Sequence, residues 1–323
     1  MTGHHVSRRL GRAAWVVTAP LAGLAAARLA HYDDDPLVTI ANAGTPFVYL
    51  PAYGALAAGL ITRRPALTAT AAAVAVAHAA WTAPELRRRP DRPHAPAGPR
   101  LRVVSSNVEY PRRDSTPLGR ELAAFEPDVL LLQELSPEHL IMIKSAGAFD
   151  PFPYSYVDAR PGSFGGGIWS RFPLSEGETW QVAGFPLVRA TIDVDGTPVR
   201  VFDVHLKAPT RPRSVPVWKA QLAALATDAA AHGGPVIMAG DYNATYGHAP
   251  FRRLLAVGLR DAHIEAGRGL ATTWPVNNLL LPPLFRLDHV LVSREFEVLA
   301  AREGRGPGTD HRPVVADLVL RAP

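Results

Sequence analysis

The chain has no cysteine among its 323 residues, which excludes disulfides, thiolate metal sites and cysteine nucleophiles and leaves either redox compartment open. No G-x-S-x-G elbow is present, which argues against a serine acyl hydrolase. Neither H-E-x-x-H nor a cluster of histidines is there to bind zinc. The glycine run Gly165-Gly166-Gly167 lacks the following helix N-terminus of a phosphate-cradling P-loop, so it reads as a loop that lets backbones approach. No internal repeat is visible, and the length suffices for one large domain or two ordinary ones.

What is abundant is apolar sequence at the start. Ala13 to Ala30, Leu37 to Ile61 and Pro65 to Ala83 each have roughly the 17 to 25 residues that cross a hydrocarbon core, and we read residues 1–83 as an anchor of three transmembrane helices. A cleaved signal peptide is the alternative for the first stretch, but two further stretches follow it. Arg8, Arg9 and Arg12 before the first stretch and Arg63 and Arg64 after the second favour the cytoplasm. Asp33, Asp34 and Asp35 then face outward, and a third crossing leaves the rest of the chain outside. Arg87, Arg88, Arg89 and Arg92 count the other way, and the third stretch carries His78. Were it to lie on the membrane surface, the remainder would be cytoplasmic.

The formal charge of +5 is unevenly spread: residues 1–100 carry 11 Lys/Arg against 5 Asp/Glu, and residues 101–323 carry 23 against 24. The C-terminal part therefore has no basic field to draw nucleic acid, which is not the expected partner. Pro- and Arg-rich residues 84–100 read as an extended linker, either a solvated spacer or a tether drawn to anionic headgroups.

From residue 101 onward short apolar runs alternate with Gly, Pro and Asp. Runs end at Asn107, at Gln133-Glu134, at Ser170-Arg171, at His205 and at Gly240-Asp241-Tyr242-Asn243; others begin at Asp288 and at Asp310-His311. Helices are expected around Leu118 to Phe125, from Ser136 to Lys144 with a Ser-Pro start, and from Ser214 to Ala231 with His232-Gly233-Gly234 as the stop. Asp195-Gly196 between two apolar arms marks a tight hairpin. In an all-parallel sheet, starts and ends of strands lie on opposite rims. In a mixed sheet they alternate along one rim, so Asn107, Glu134, His205, Asp241, Asn243, Asp288, Asp310 and His311 can converge. His289 should face away from Asp288 because neighbours alternate. Asp203, two residues before His205, is a candidate for orienting it.

Carboxylates, amides and two histidines without cysteine suit a hard cation held by oxygens, Mg²⁺ with Mn²⁺ as the alternative. Such a cation together with a carboxylate base and an imidazole makes a phosphoester hydrolase.

The ordered set Asn107, Gln133-Glu134, Ser170-Arg171, His205, Gly240-Asp241-Tyr242-Asn243, Asp288 and Asp310-His311 resembles the endonuclease/exonuclease/phosphatase (DNase I-like) superfamily over nearly all of residues 101–323. The resemblance implies a four-layer α/β sandwich with two mixed β-sheets as the catalytic domain. It implies Glu134 as principal metal ligand, with Asn107 beside it and Asp310 a further one. Asp241 would position or deprotonate the attacking water and Asn243 hold the scissile phosphate. His311, oriented by Asp288, would bind or protonate a phosphate oxygen, and His205 contact another. Arg171 and Trp274 are the remaining candidates for substrate contact. The acidic residue that some relatives carry between the Gln-Glu motif and the first histidine is not identifiable.

Thr309-Asp310-His311-Arg312-Pro313 is similar to inositol-polyphosphate 5-phosphatases, whose Trp-Cys-Asp-Arg signature is replaced here by Leu287-Asp288-His289. Trp274-Pro275 and the apolar Leu279-Leu280-Leu281-Pro282-Pro283-Leu284-Phe285 form a loop too greasy for a DNA-facing surface. It is either a core cover or a lip that meets acyl chains or the bilayer. Anchor, tether and domain together resemble the membrane-anchored branch that includes VanJ-type teicoplanin-resistance proteins. The expected function is a plasma-membrane phosphoesterase acting extracytoplasmically on a lipid-linked phosphate or pyrophosphate, with a cell-wall carrier and glycopeptide resistance as its setting. The alternatives are an anchored nuclease degrading external DNA and a non-catalytic binding domain. No protein partner can be inferred.

Overall fold

The computed structural model describes residues 2–87, 97–111, 114–277 and 282–321, with side chains from Ser7 onward. The arginines Arg88, Arg89 and Arg92, most of the expected linker and Leu279 to Leu281 of the apolar loop lie outside the described residues.

Five helices open the chain: α1 (Thr2–Leu29), α2 (Pro36–Ala43), α3 (Thr45–Val48), α4 (Pro51–Ile61) and α5 (Pro65–Leu86). α1, α4 and α5 pack through Ala14, Ala55, Ala58, Leu67 and Ala71, all but Leu67 small residues that let helix backbones approach closely. Two helices, spanning Ser7–Leu29 and Pro65–Leu86, are long and apolar enough to cross a membrane. The second apolar stretch is not the single straight span expected of it. It bends by 81° between Pro36–Ala43 and Thr45–Ile61, where Gly44 and Pro46 interrupt the helix. The helix of the third stretch runs on through Pro84 to Leu86, so the expected linker begins helical.

The rest folds into two six-stranded sheets. The first contains β1 (Arg100–Asn107), β2 (Val129–Gln133), β3 (Tyr154–Asp158), β4 (Gly166–Ser170), β11 (Phe296–Glu303) and β12 (Val314–Leu320), in the order β11-β12-β1-β2-β4-β3. The second contains β5 (Leu174–Val182), β6 (Phe185–Val194), β7 (Thr197–His205), β8 (Val236–Asp241), β9 (Arg260–Asp261) and β10 (Asp288–Val292), in the order β5-β6-β7-β8-β10-β9. Their inner faces share a core that includes Val103, Leu131, Ile168, Val201, Ile237, Val290 and Ala316. Helices α6 (Thr116–Ala124) and α7 (Pro137–Ser145) cover the outside of the first sheet, and α8 (Ser214–His232) and α9 (Ala249–Leu255) that of the second. The four-residue helix α10 (Ala262–Glu265) follows β9. The result is a helix–sheet–sheet–helix sandwich with two mixed sheets.

Local signals explain these elements. Ser136 Oγ accepts from His139 N at the start of α7, as an N-cap should. Gly233, at φ +67°, stops α8 in the left-handed conformation. Asp195 and Gly196 both have positive φ in the β6–β7 hairpin, as a type I′ turn demands.

Candidate active site

Strand direction assembles the site. β1 runs parallel to β2, and β7 parallel to β8, so Asn107, Glu134, His205 and Asp241 leave their strands at one rim. β10 runs antiparallel to β8 with Asp288 directly opposite Asp241. β12 runs antiparallel to β1, with Val314 opposite Ser105, which brings Asp310 and His311 to that same rim.

The side chains meet there. Asn107 Nδ2 donates to Glu134 Oε1 at 3.1 Å and to Asp241 Oδ2 at 3.2 Å. His205 Nε2 lies 3.5 Å from Glu134 Oε1 and 3.8 Å from Asp241 Oδ2. His311 Nδ1 is 2.9 Å from Asp288 Oδ2, while its Nε2 lies 3.8 Å from Asp241 Oδ2 and 3.7 Å from Asp310 Oδ1. Asn243, in the left-handed region at φ +46°, donates from Nδ2 to Leu206 O at 2.9 Å and from its backbone N to Asp241 Oδ1 at 2.8 Å. Trp274 Nε1 donates to Asp310 Oδ2 at 2.8 Å, and its ring lies 6.5 Å from that of His311.

Burial and charge set the protonation states. Burial pushes the Asp241 carboxyl up to about 6, with His311 opposing and Asp288 adding to the rise. Burial alone would lower His311, but the carboxylates of Asp288 and Asp241 outweigh it and hold the imidazolium up to about 10. One group is thus poised as a base and the other as a charged donor. Two buried atoms at the rim, Asp288 Oδ1 and His205 Nδ1, have no hydrogen-bond partner among the described residues.

Two donor sets fit a hard cation. Asp241, Asp288 and His311 each offer one ligand atom, all within 4.8 Å of one another. Glu134 and Asp310 offer carboxylate oxygens into the same cavity. Asn107 stands beside Glu134 and Asp241 as expected, its amide nitrogen facing both carboxylates and its Oδ1 accepting from Glu109 N at 2.9 Å. As found, it orients Glu134 and Asp241.

Three expectations need correction or completion. Arg171 is remote from the site: β4 is antiparallel to β2, so its end pairs with the start of β2, Ser170 opposite Val129, at the other rim. There Arg171 lies 3.6 Å from Asp128 Oδ1. Asp203 does not orient His205; it turns between the sheets, where Gln133 Nε2 donates at 2.5 Å and Gly167 N at 2.9 Å. A Cβ on Gly166 would fall 2.4 Å from Asp203 Oδ2, so the glycine run serves close approach of the two sheets. Lys207 was not foreseen, although it follows His205 at i+2 and so shares its face. Its ammonium lies 5.3 Å from the Phe164 ring centroid and 5.4 Å from that of Phe185, and among the described residues it is the only Lys or Arg lining the cavity.

The cavity, of about 760 Å³, is not built by the sandwich alone. Thr39, Ile40 and Ala43 of α2 line it together with Glu134, Asp241 and His311. Leu284 and Phe285 of the apolar loop complete that wall, with Phe285 against Gly44. The helices are fixed to the sandwich by polar bonds. His248 Nε2 is 2.9 Å from Thr39 O, Ala249 N donates to Asp33 Oδ2 at 3.0 Å, and Arg28 donates to Gly247 O. Arg286 Nη2 donates to Glu85 Oε2 at 3.1 Å.

The sequence profile of the Endonuclease/Exonuclease/phosphatase family matches residues 104–311. The chain belongs to this family. Endonuclease/exonuclease/phosphatase proteins are generally metal-dependent phosphoesterases or nucleases, in keeping with a rim of oxygen donors around two histidines. Solved structures agree in fold. An endonuclease/exonuclease/phosphatase from Beutenbergia cavernae aligns at TM-score 0.55 and 22% identity over 69% of this chain and 72% of its own. D. rerio TDP2 complexed with a single-strand DNA product aligns at 0.57 and 19% over 68% and 98%. A family member from Leptotrichia buccalis aligns at 0.56 and 15% over 68% and 99%. No curated protein sequence matches the chain.

Proposed function

We propose that the protein is a membrane-anchored, Mg²⁺-dependent phosphohydrolase that cleaves a phosphate or pyrophosphate carried on a lipid at the extracytoplasmic face. The observation that carries this reading is the shared cavity: Ile40 and Ala43 of the apolar helical part stand in one wall with Glu134, Asp241 and His311. A site built that way suits a substrate with an ionic head and an apolar tail.

Glu134 with Asp310 would hold the cation, which would supply Lewis-acid stabilisation of a phosphoryl oxygen and leave Asp241 and His311 free for proton chemistry. Asp241 positions the attacking water and takes its proton as the water oxygen bonds to phosphorus. Asn243 and His205 hold phosphoryl oxygens, and His311, charged and braced by Asp288, donates to the charge that grows on them as the phosphorus–oxygen bond to the leaving group breaks. Lys207 supplies a further fixed positive charge at the mouth.

Sidedness rests on two adjacencies. The 33–35 loop touches the sandwich through Asp33 and through Lys219, which pairs with Asp34. Gly11, beside Arg12, packs against Arg64 at the other end of the bundle. The sandwich thus shares its side with the acidic loop, opposite the arginines that favour the cytoplasm. The likeness to VanJ-type proteins makes a cell-wall carrier lipid the favoured substrate and glycopeptide resistance the favoured setting.

The test offers the full chain, reconstituted in nanodiscs with Mg²⁺, a polyprenyl pyrophosphate, a phosphorylated phospholipid headgroup and duplex DNA. Turnover of a lipid substrate without DNA cleavage is expected. Rapid DNA cleavage without lipid turnover would establish the nuclease reading instead, which the DNA product bound to D. rerio TDP2 favours. No turnover of any of the three would leave a binding domain. Protease protection of the sandwich in intact cells would move it to the cytoplasm.

A further inference from the structure

Amphipathic α2 touches two environments at once. Its polar and small residues face the sandwich: Thr39 and Asn42 are buried, Thr39 O meets His248, and Asn42 Nδ2 donates to Asp33 Oδ1 at 2.8 Å. The opposite side is apolar and uncovered. Leu37 is 77% exposed and Ile40 47%, and after the turn Phe47 and Leu50 continue the patch at 38% and 51%. In water such a contiguous patch would be anomalous. Here it is continuous with helices apolar enough to cross a membrane, and the 81° bend turns α2 nearly perpendicular to the 45–61 segment.

The geometry points to α2 as the in-plane arm of an elbow seated in the outer boundary of the bilayer, its exposed face among the first acyl carbons and α3 turning down from it. We infer that this elbow fixes the mouth of the cavity at headgroup height, so that a lipid substrate reaches Asp241 and His311 without leaving the leaflet. Ile40 belongs to both surfaces, since it lines the cavity and is partly exposed beside Leu37; the tail of the substrate passes there. An interfacial helix of this kind is held by its buried apolar face. Two bonds from the sandwich, His248 Nε2 at Thr39 O and Thr245 Oγ1 donating to Ala43 O at 3.2 Å, keep its polar face turned away from lipid. The inference rests on the membrane-anchored reading, and it adds the depth and orientation of one segment.

The absence of cysteine makes the test direct, because a single introduced thiol is the sole labelling site. Leu37→Cys, Leu50→Cys, Val76→Cys and Ala230→Cys, each carrying an environment-sensitive fluorophore, are placed in vesicles whose lipids bear a quencher either near the headgroup or near the acyl terminus. Val76, 70% exposed on α5, reports on the anchor, and Ala230, exposed on α8, reports on water. Labels at 37 and 50 are expected to be quenched at least threefold more by the shallow quencher than by the deep one, and to resist aqueous iodide. Iodide quenching at 37 and 50 equal to that at 230 overturns the elbow, as does dominant deep quenching there. If Val76 also escapes the deep quencher, the anchor reading falls with it; if Val76 is quenched, only the elbow does.

Discussion

Two buried polar clusters, each built across a junction, differ in how their carboxylates are balanced by charge. At the contact between α5 and the sandwich, Arg286 donates to Glu85 and, at 2.6 Å, to Asp261. His289 completes the group with Nδ1 2.7 Å from Asp261 Oδ2 and Nε2 2.9 Å from Ala244 O. Burial would raise Asp261, yet Arg286 and His289 hold it well below the usual carboxylate range. At the rim, by contrast, Asp241 is raised, although both clusters keep buried atoms without a partner among the described residues, Arg286 Nε in the first and Asp288 Oδ1 and His205 Nδ1 in the second. Burying charge is tolerated where partners neutralise it. A cluster that leaves a buried carboxyl raised, beside a charged imidazole, is the mark of a reactive site.

The contrast can be broken by substitution. Glu134→Ala should lower kcat by roughly 10²–10³-fold, the usual cost of losing one group that stabilises transition-state charge, while the thermal midpoint stays near wild type. Unchanged turnover would remove Glu134 from the site. Arg286→Met should do the reverse in kind, costing about 3–5 kcal/mol in denaturant titration because two buried carboxylates lose their counter-charge. A loss below about 1 kcal/mol, the range of exposed pairs, would mean that the junction is wet.

The raised His311 sharpens the comparison through pH. Its folded value stands at about 10 against an ordinary 6.5, so the stabilisation it brings is complete below 6.5 and disappears as pH rises through about 10. In the metal-stripped protein, NMR should follow the His311 ring titrating near the upper value. Asp288→Asn should move that titration down toward the ordinary range, and an unmoved titration would detach Asp288 from the dyad.

Smaller effects remain. Lys207→Gln should raise KM about fivefold with little change in kcat, equivalent to roughly 1 kcal/mol for a partly screened charge contact. Arg171→Ala should change kcat/KM by less than about twofold, since a surface ion pair is worth ~0–1 kcal/mol. A large loss there would mean that substrate extends to the far rim.

Much of this was legible in the sequence because it followed from alternation and from where apolar runs stop. Asp241, Asp288 and His311 could be placed on one rim once starts and ends of strands were allowed to mix, and His289 faces away from Asp288 as period-two spacing requires. Arg171 defeated the same logic, because a run ending in a polar residue does not disclose which way its strand runs. The bend at Gly44 was hidden inside an apolar stretch of the right length for a single span. The contribution of α2 to the cavity was invisible for a deeper reason: it depends on a contact between residues some 200 positions apart, such as Thr39 with His248, and no local pattern encodes it.

The facing of Asp288 and Asp241 across the β8–β10 ladder has a consequence for how this protein tolerates change. The loop from 262 to 287 can lengthen or shorten without disturbing their spacing, because the ladder, not the loop, sets it. A one-residue slip within β10 would exchange the faces of its side chains, presenting His289 where Asp288 now stands and uncoupling His311. An insertion inside β10 should therefore be ruinous to the site.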